Sequence, residues 1–290
     1  MILFMLKNKL CLYSKLMRLD KPVGILLLIW PPFWVITFSN YENFYSLISL
    51  VFLFGVIFSR TIGCVVNDFF DKDFDIKVSR TKDRPYAAEL VSKREVVSIF
   101  LILSILNLSL LFFLNQKTIF FALLGAIFII VYPLMKRFFF APQLFLGCTF
   151  AISTLMAHTA VTNTFPIDTT WIFFFATLIW VTMFDTIYAL ADKKDDLNIG
   201  IKSTAIFFGK KDKFIIGILQ GVFFSSFIYL GFIESYSYIF YIFIITAFVI
   251  GVYNQILIGE REPIKCILAF KNNQYIGFLI FLGIYLEHLL

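Results

Sequence analysis

The chain has 290 residues, a net charge of +6, 60% hydrophobic residues and only 15% charged ones. A soluble domain would carry about a quarter of its residues as charges, so composition excludes an ordinary soluble fold. Apolar runs of roughly 17–22 residues recur along the chain, long enough to cross a bilayer as helices.

The chain opens with "MILFMLKNKLCLYSKLMRLDKP". Charges interrupt it too often for a signal peptide. Residues 1–20 therefore read as an interfacial amphipathic segment. Nine spans follow, near 22–38, 46–66, 96–114, 118–134, 142–161, 171–190, 214–233, 236–258 and 275–289. The expected fold class is all-α, a polytopic integral membrane protein of one domain covering 1–290. Basic residues set the orientation. The N-terminal segment and the connections after spans two, four, six and eight hold 23 of the 25 Lys and Arg residues. The N-terminus and these connections are expected on the cytoplasmic side. Basic loops beside a membrane account for the positive charge without nucleic acid.

The connections 67–95 and 191–213 are long and acidic. The first opens with "NDFFDKDFD", Asn67 to Asp75. If span two continues as a helix, Asn67, Asp71 and Asp75 fall at i, i+4 and i+8, and each step turns about 40°. They share a face. Asp68 and Asp73 lie off it and are expected only to keep the helix end wet. The second cluster lies in "YALADKKDDLNIGIKSTA", where Asp192 and Asp196 repeat the i, i+4 spacing and Asp195 is within reach. Asp71 to Asp192 and Asp75 to Asp196 are both 121 residues, so the clusters end equivalent spans.

Stacked carboxylates repel each other on a bare helix. Asp and Asn oxygens are hard donors that suit Mg2+, which typically bridges one or two carboxylates to substrate phosphates. A phosphorylated partner at the interface follows. Arg80, Lys82 and Arg84 after the first cluster, Lys136 and Arg137 after span four, and Lys202 after the second cluster are candidates for its remaining oxygens. Arg60 and Asp185 lie inside predicted spans, where charges are rare and usually functional. Each precedes its cluster by seven residues on the same face, about 10 Å deeper. Two readings stand: a structural Arg60–Asp185 ion pair, or Arg60 as the anchor for a substrate carboxylate with Asp185 orienting it. Tyr188, one turn from Asp192, is placed in the same cavity. The implied ligands are a diphosphate with a long hydrocarbon tail and a small anionic acceptor.

The four cysteines form no CxxC pair, and His158 and His288 are isolated, so the sequence points to neither a metal-thiolate site nor a disulfide framework. A transporter would distribute intramembrane charge along a path, whereas here it gathers toward one side. A purely structural membrane protein leaves the paired acid motifs without a purpose.

At these motifs the sequence resembles the UbiA superfamily of membrane prenyltransferases, whose pattern is NDxxDxxxD followed by YxxxDxxxD. "MRLDKPVGILLLIWP", "RTIGCVVNDFFDKDFDIKVSRTKDRP", "YPLMKRFFFAPQLFLG" and "YALADKKDDLNIGIKSTAIFFGK" are similar to the branch that prenylates 4-hydroxybenzoate in ubiquinone biosynthesis. The resemblance implies nine helices around a central cavity, a bacterial inner-membrane location and Mg2+ dependence. It implies that Asn67, Asp71, Asp75, Asp192 and Asp196 hold Mg2+ and a polyprenyl diphosphate. It implies that Arg60 takes the acceptor carboxylate, and that Lys136 and Arg137 contact diphosphate; Arg84 belongs with these substrate contacts. Asp195 is the candidate helper acid or base. One departure is "YAAELVS" after Arg84-Pro85, where the branch often has a Gly-containing turn.

Overall fold

The structure is a computed structural model that describes residues 2–39 and 46–289. Those residues form helices without strands. A first helix, α1 (Ile2–Leu16), is followed by α2 (Val23–Ser39), α3 (Leu47–Asp75), α4 (Lys93–Ser109), α5 (Gln116–Phe138) and α6 (Pro142–Thr162). Then come α7 (Asp168–Ile199), the short α8 (Thr204–Phe207), α9 (Asp212–Ile233), α10 (Tyr238–Leu257) and α11 (Pro263–Glu287). Eight segments have the length and apolarity of a membrane span, and α2, apolar and 17 residues long, is the ninth.

Local chemistry sets many of the ends. Ser46 caps α3, Asn115 caps α5, and Ser92 with Glu95 forms a reciprocal capping box at the start of α4. Pro142 and Pro263 occupy the first turns of α6 and α11, where a missing N–H costs nothing. α3 and α7 run well past their apolar stretches, to Asp75 and Ile199. The acidic stretch that opens each predicted connection is therefore a helical extension of its span. The last span is corrected at its start: it begins at Pro263, not near 275. Its polar stretch Lys271–Gln274 stays helical because Asn272 donates to Asn254 Oδ1 at 2.9 Å and Asn273 Oδ1 accepts from Trp180 Nε1 at 3.2 Å.

Neighbour packing closes a ring: α2 on α3, α3 on α5, α5 on α6, α6 on α7, then α9, α10 and α11 back to α2. α6 and α7 approach closely at Gly147, where a Cβ would lie 2.6 Å from the Leu178 carbonyl oxygen. The core on the α2–α7–α9–α11 side is aromatic. Trp34 packs at a tilt 5.3 Å from Trp180 and edge-on at 5.2 Å from Phe227, and its Nε1 donates to the Gly277 carbonyl at 2.9 Å. α4 instead presents Leu101, Ile102, Ile105 and Leu108 outward, a surface suited to lipid tails.

α1 lies over the ends of α3 and α4. Leu16 is buried among Ile62, Val65, Val66 and Val96, while Lys9 and Tyr13 each donate to Glu95 at 2.7 Å. Beyond α1, Arg18 also reaches the acid motif, as described below.

Candidate active site

A cavity of about 710 Å³ occupies the ring's interior. Its apolar wall comes from α2, α3, α5 and α6, including Leu27, Phe52, Ile129 and Phe150. A smaller polar cavity of about 110 Å³ lies beside it between the ends of α3 and α7. Arg80, Arg84, Tyr132, Lys136, Asp185 and Tyr188 line both and so form the boundary between them.

The two acid faces meet in the polar cavity, which Asp71, Asp75, Asp192 and Asp196 all line. Their helical spacing carries through: α3 and α7 each keep two carboxylates in line for one more turn beyond the apolar stretch. Cations hold most of them. Lys136 Nζ donates to Asp71 Oδ2 at 2.9 Å and to Asn67 Oδ1 at 3.1 Å. Arg84 donates to Asp75 Oδ2 at 2.7 Å, and Arg80 forms a two-pronged pair with Asp192. Arg80 also lies over the Tyr188 ring, 4.6 Å from its centroid. Burial disfavours the charged forms of Arg80 and Arg84, but their carboxylate partners outweigh it and hold both guanidiniums above the ordinary arginine value.

Asp68 is a correction. Far from wetting the helix end, it is 2% exposed and accepts from Arg18 at 2.6 and 2.9 Å and from Arg84 at 3.2 Å. Two cations supply the reason: neither is near Asp68 in sequence, yet both reach it, so the charge is compensated as it is buried. Asp73 is exposed, as expected.

Arg137 is not brought to either cavity. It donates to the Phe70 carbonyl at 2.8 Å and covers the Phe74 ring, tying α5 to the end of α3. Asp195 also stays outside both; its carboxylate accepts the Ser79 N–H at 3.2 Å. Lys202 lines the polar cavity while its Nζ donates to the Phe138 carbonyl.

Arg60 and Asp185 both line the large cavity, but no ion pair joins them. Arg60 donates to Cys64 Sγ at 2.7 Å. It lies against α2 where Gly24 has no side chain; a Cβ there would collide with the guanidinium. Tyr132 and Gln143 were not singled out from the sequence. Tyr132 precedes Lys136 by one helical turn, so the face that carries Lys136 pointed to it. Gln143 lines the polar cavity and accepts the Thr204 N–H at 2.8 Å, a long-range contact without a local signal.

The donor set is of oxygens, the type that suits Mg2+. Among the described residues no three His, Cys, Asp or Glu side chains converge as a ready-made cage. The cause is visible: Lys136, Arg84 and Arg80 occupy the carboxylates. Mg2+ prefers hard oxygens, keeps several waters and needs one or two carboxylates plus substrate phosphate. Two opposed acid faces on one cavity, with cations in place of the metal, fit that requirement.

Comparison with known proteins agrees with this architecture. The UbiA prenyltransferase family matches residues 28–281. The chain is 41% identical over 283 residues to 4-hydroxybenzoate octaprenyltransferase of Coxiella burnetii (strain RSA 331 / Henzerling II), covering 98% of each. It is 40% identical over 284 residues to the enzyme of that name from Nitrosococcus oceani, covering 98% of this chain and 99% of that one. Among solved structures, the apo form of a UbiA homolog from Aeropyrum pernix K1 superposes with a TM-score of 0.78 at 21% identity, over 91% of this chain and 98% of that one. A UbiA homolog from Archaeoglobus fulgidus bound to GPP and Mg2+ gives 0.70 at 19%, over 93% and 99%. With a family match over most of its length and relatives aligned end to end, the chain belongs to the UbiA prenyltransferase family.

Proposed function

We propose that the protein transfers a polyprenyl group from polyprenyl diphosphate to the ring of 4-hydroxybenzoate, ortho to its hydroxyl, releasing diphosphate, in ubiquinone biosynthesis. One observation carries the reading: the paired acid faces share a polar cavity that adjoins a large apolar one containing Arg60. The names of the full-length relatives support the acceptor. The positions of the basic loops support an inner-membrane chain with these motifs on the cytoplasmic side.

The division of labour follows from the geometry. Asn67, Asp71, Asp75, Asp192 and Asp196 would hold Mg2+, whose charge would stabilise the departing diphosphate. Lys136, Arg80 and Arg84, released from their carboxylates, turn to the remaining diphosphate oxygens. Arg60 takes the acceptor carboxylate, with Tyr188 and Asp185 beside the ring. The apolar wall holds the tail and keeps water from the allylic cation. Arg137 stays a helix tie in this scheme.

The test is purified protein in detergent with Mg2+, geranyl diphosphate and 4-hydroxybenzoate, read by mass spectrometry. The expected product is the 3-prenylated acid, lost on chelation and restored by Mg2+. No product with this acceptor, but product with another aromatic acid, would overturn the acceptor assignment. No product with any acceptor would overturn the enzyme.

A further inference from the structure

Electrophilic substitution on an aromatic ring ends with the loss of a ring proton, and that proton needs an acceptor. Asp195 does not serve, because it lines neither cavity and its carboxylate is held by the Ser79 N–H. Asp71, Asp75 and Asp192 each hold a cation, and Asp196 faces the polar cavity with them. Asp185 is different. Alone among these carboxylates it lines both cavities, and among the described residues its carboxylate, like that of Asp196, has neither a hydrogen-bond nor an ion-pair partner.

Its position is also distinct. Asp185 precedes Asp192 by two helical turns, about 10 Å deeper along α7. Arg60 has the same relation to Asn67 on α3. A ring whose carboxylate rests on Arg60 and whose reacting carbon faces the diphosphate passes the level of Asp185. The charges acting on Asp185 are those of Lys136, Arg60, Arg80 and Asp192. Arg60 acts on it only at a distance: the two form no hydrogen bond or ion pair, and Arg60 donates to Cys64 Sγ. A structural ion pair therefore does not explain why a carboxylate is kept here.

We propose that Asp185 is the base that restores the ring. The inference rests on the prenyltransferase reading above. The allylic diphosphate C–O bond breaks, and its electron pair leaves with diphosphate. The ring carbon ortho to the hydroxyl forms the new C–C bond and becomes tetrahedral, with the ring cationic. A carboxylate oxygen of Asp185 takes the proton from that carbon, and the C–H electron pair returns to the ring. The neutral carboxyl then gives the proton up to the departing diphosphate through the polar cavity that both groups share.

The experiment compares 4-hydroxybenzoate with its analogue deuterated at both ring positions ortho to the hydroxyl, using purified protein, Mg2+ and geranyl diphosphate. In the wild type, ionisation is expected to limit the rate, so that no isotope effect is seen. Asp185→Asn keeps the shape and removes the base. Its turnover is expected to fall by roughly 10²–10⁴-fold, and a primary isotope effect should appear as proton loss becomes limiting. Asp185→Glu is expected to recover part of the rate with a smaller isotope effect. A wild-type rate in Asp185→Asn, or a slow rate without an isotope effect and with a raised KM for the acceptor, would overturn the proposal. If Asp185→Asn does not fold, Asp185→Glu decides: a slowed rate with an isotope effect supports the base, and a slowed rate without one overturns it. Failure of the wild type to make product is a separate result, which removes the functional reading itself.

Discussion

The acid motifs at the ends of α3 and α7 are matched in spacing and unequal in charge balance. On α3, Asp68, Asp71 and Asp75 are all buried, and each accepts from Arg18, Arg84 or Lys136. On α7, Asp192 is paired with Arg80; among the described residues Asp195 takes only a backbone N–H, and no side chain is bonded to the Asp196 carboxylate. The cations that reach these carboxylates come from the first half of the chain. α7's own Lys193 turns away and donates to the buried Asp212 at 2.8 Å, which also holds Arg261. The α3 motif is thus closed by internal cations, whereas the α7 motif is partly open. A divalent ion bound here would find the Asp196 carboxylate without a cation, whereas Asp71 and Asp75 would have to give up Lys136 and Arg84.

The largest expected effect is loss of one carboxylate from either face. Asp71→Ala and Asp192→Ala should each lower turnover by about 10³-fold or more, because the developing diphosphate charge loses metal support worth several kcal/mol. Equal turnover to the wild type in either variant, with the fold intact by detergent size-exclusion and circular dichroism, would break the match between the two motifs. A smaller effect is expected on binding. Lys136→Met frees Asp71 and Asn67, and one charge-assisted hydrogen bond is worth about 1.5–3 kcal/mol. Mn2+ affinity without diphosphate, read by electron paramagnetic resonance, should therefore tighten by about tenfold. An unchanged or weaker affinity would mean that the lysine does not compete with the metal. The smallest effect is expected at Asp195, which holds a loop N–H outside both cavities. Asp195→Asn should change kcat/KM by less than about threefold, within the ordinary range for a surface substitution of about 0.5 kcal/mol. A collapse of activity would move the second motif's catalytic face onto Asp195.

Much of this site was legible as periodicity. The i, i+4 spacing of Asn67, Asp71 and Asp75, and of Asp192 and Asp196, reads directly as two helix faces, and α3 and α7 do extend through them. Arg60 and Asp185 stood out because charge in an apolar run is expensive. What was not legible depended on distant partners. Asp68 looked like a solvated acid because its cations sit 50 residues upstream and 16 downstream. Adjacent residues on a helix point about 100° apart, and of Lys136 and Arg137 only Lys136 lines the cavities. That constraint was available from the sequence, and Arg137 is the one turned away. The beginning of α11 was hidden because its asparagines lower the local hydropathy while their amides are satisfied inside the bundle.

The separation between each acid and its cation has a consequence in time. Arg18 is already made when Asp68 leaves the ribosome, and Arg80 is made long before Asp192. Asp71 has to wait for Lys136, 65 residues later. At about 5–20 residues per second that wait is about 3–13 s. Asp75 waits only nine residues for Arg84, so Asp71 is the α3 carboxylate that stays longest without its final counter-ion, and the arrival of α5 is the event that closes the α3 motif.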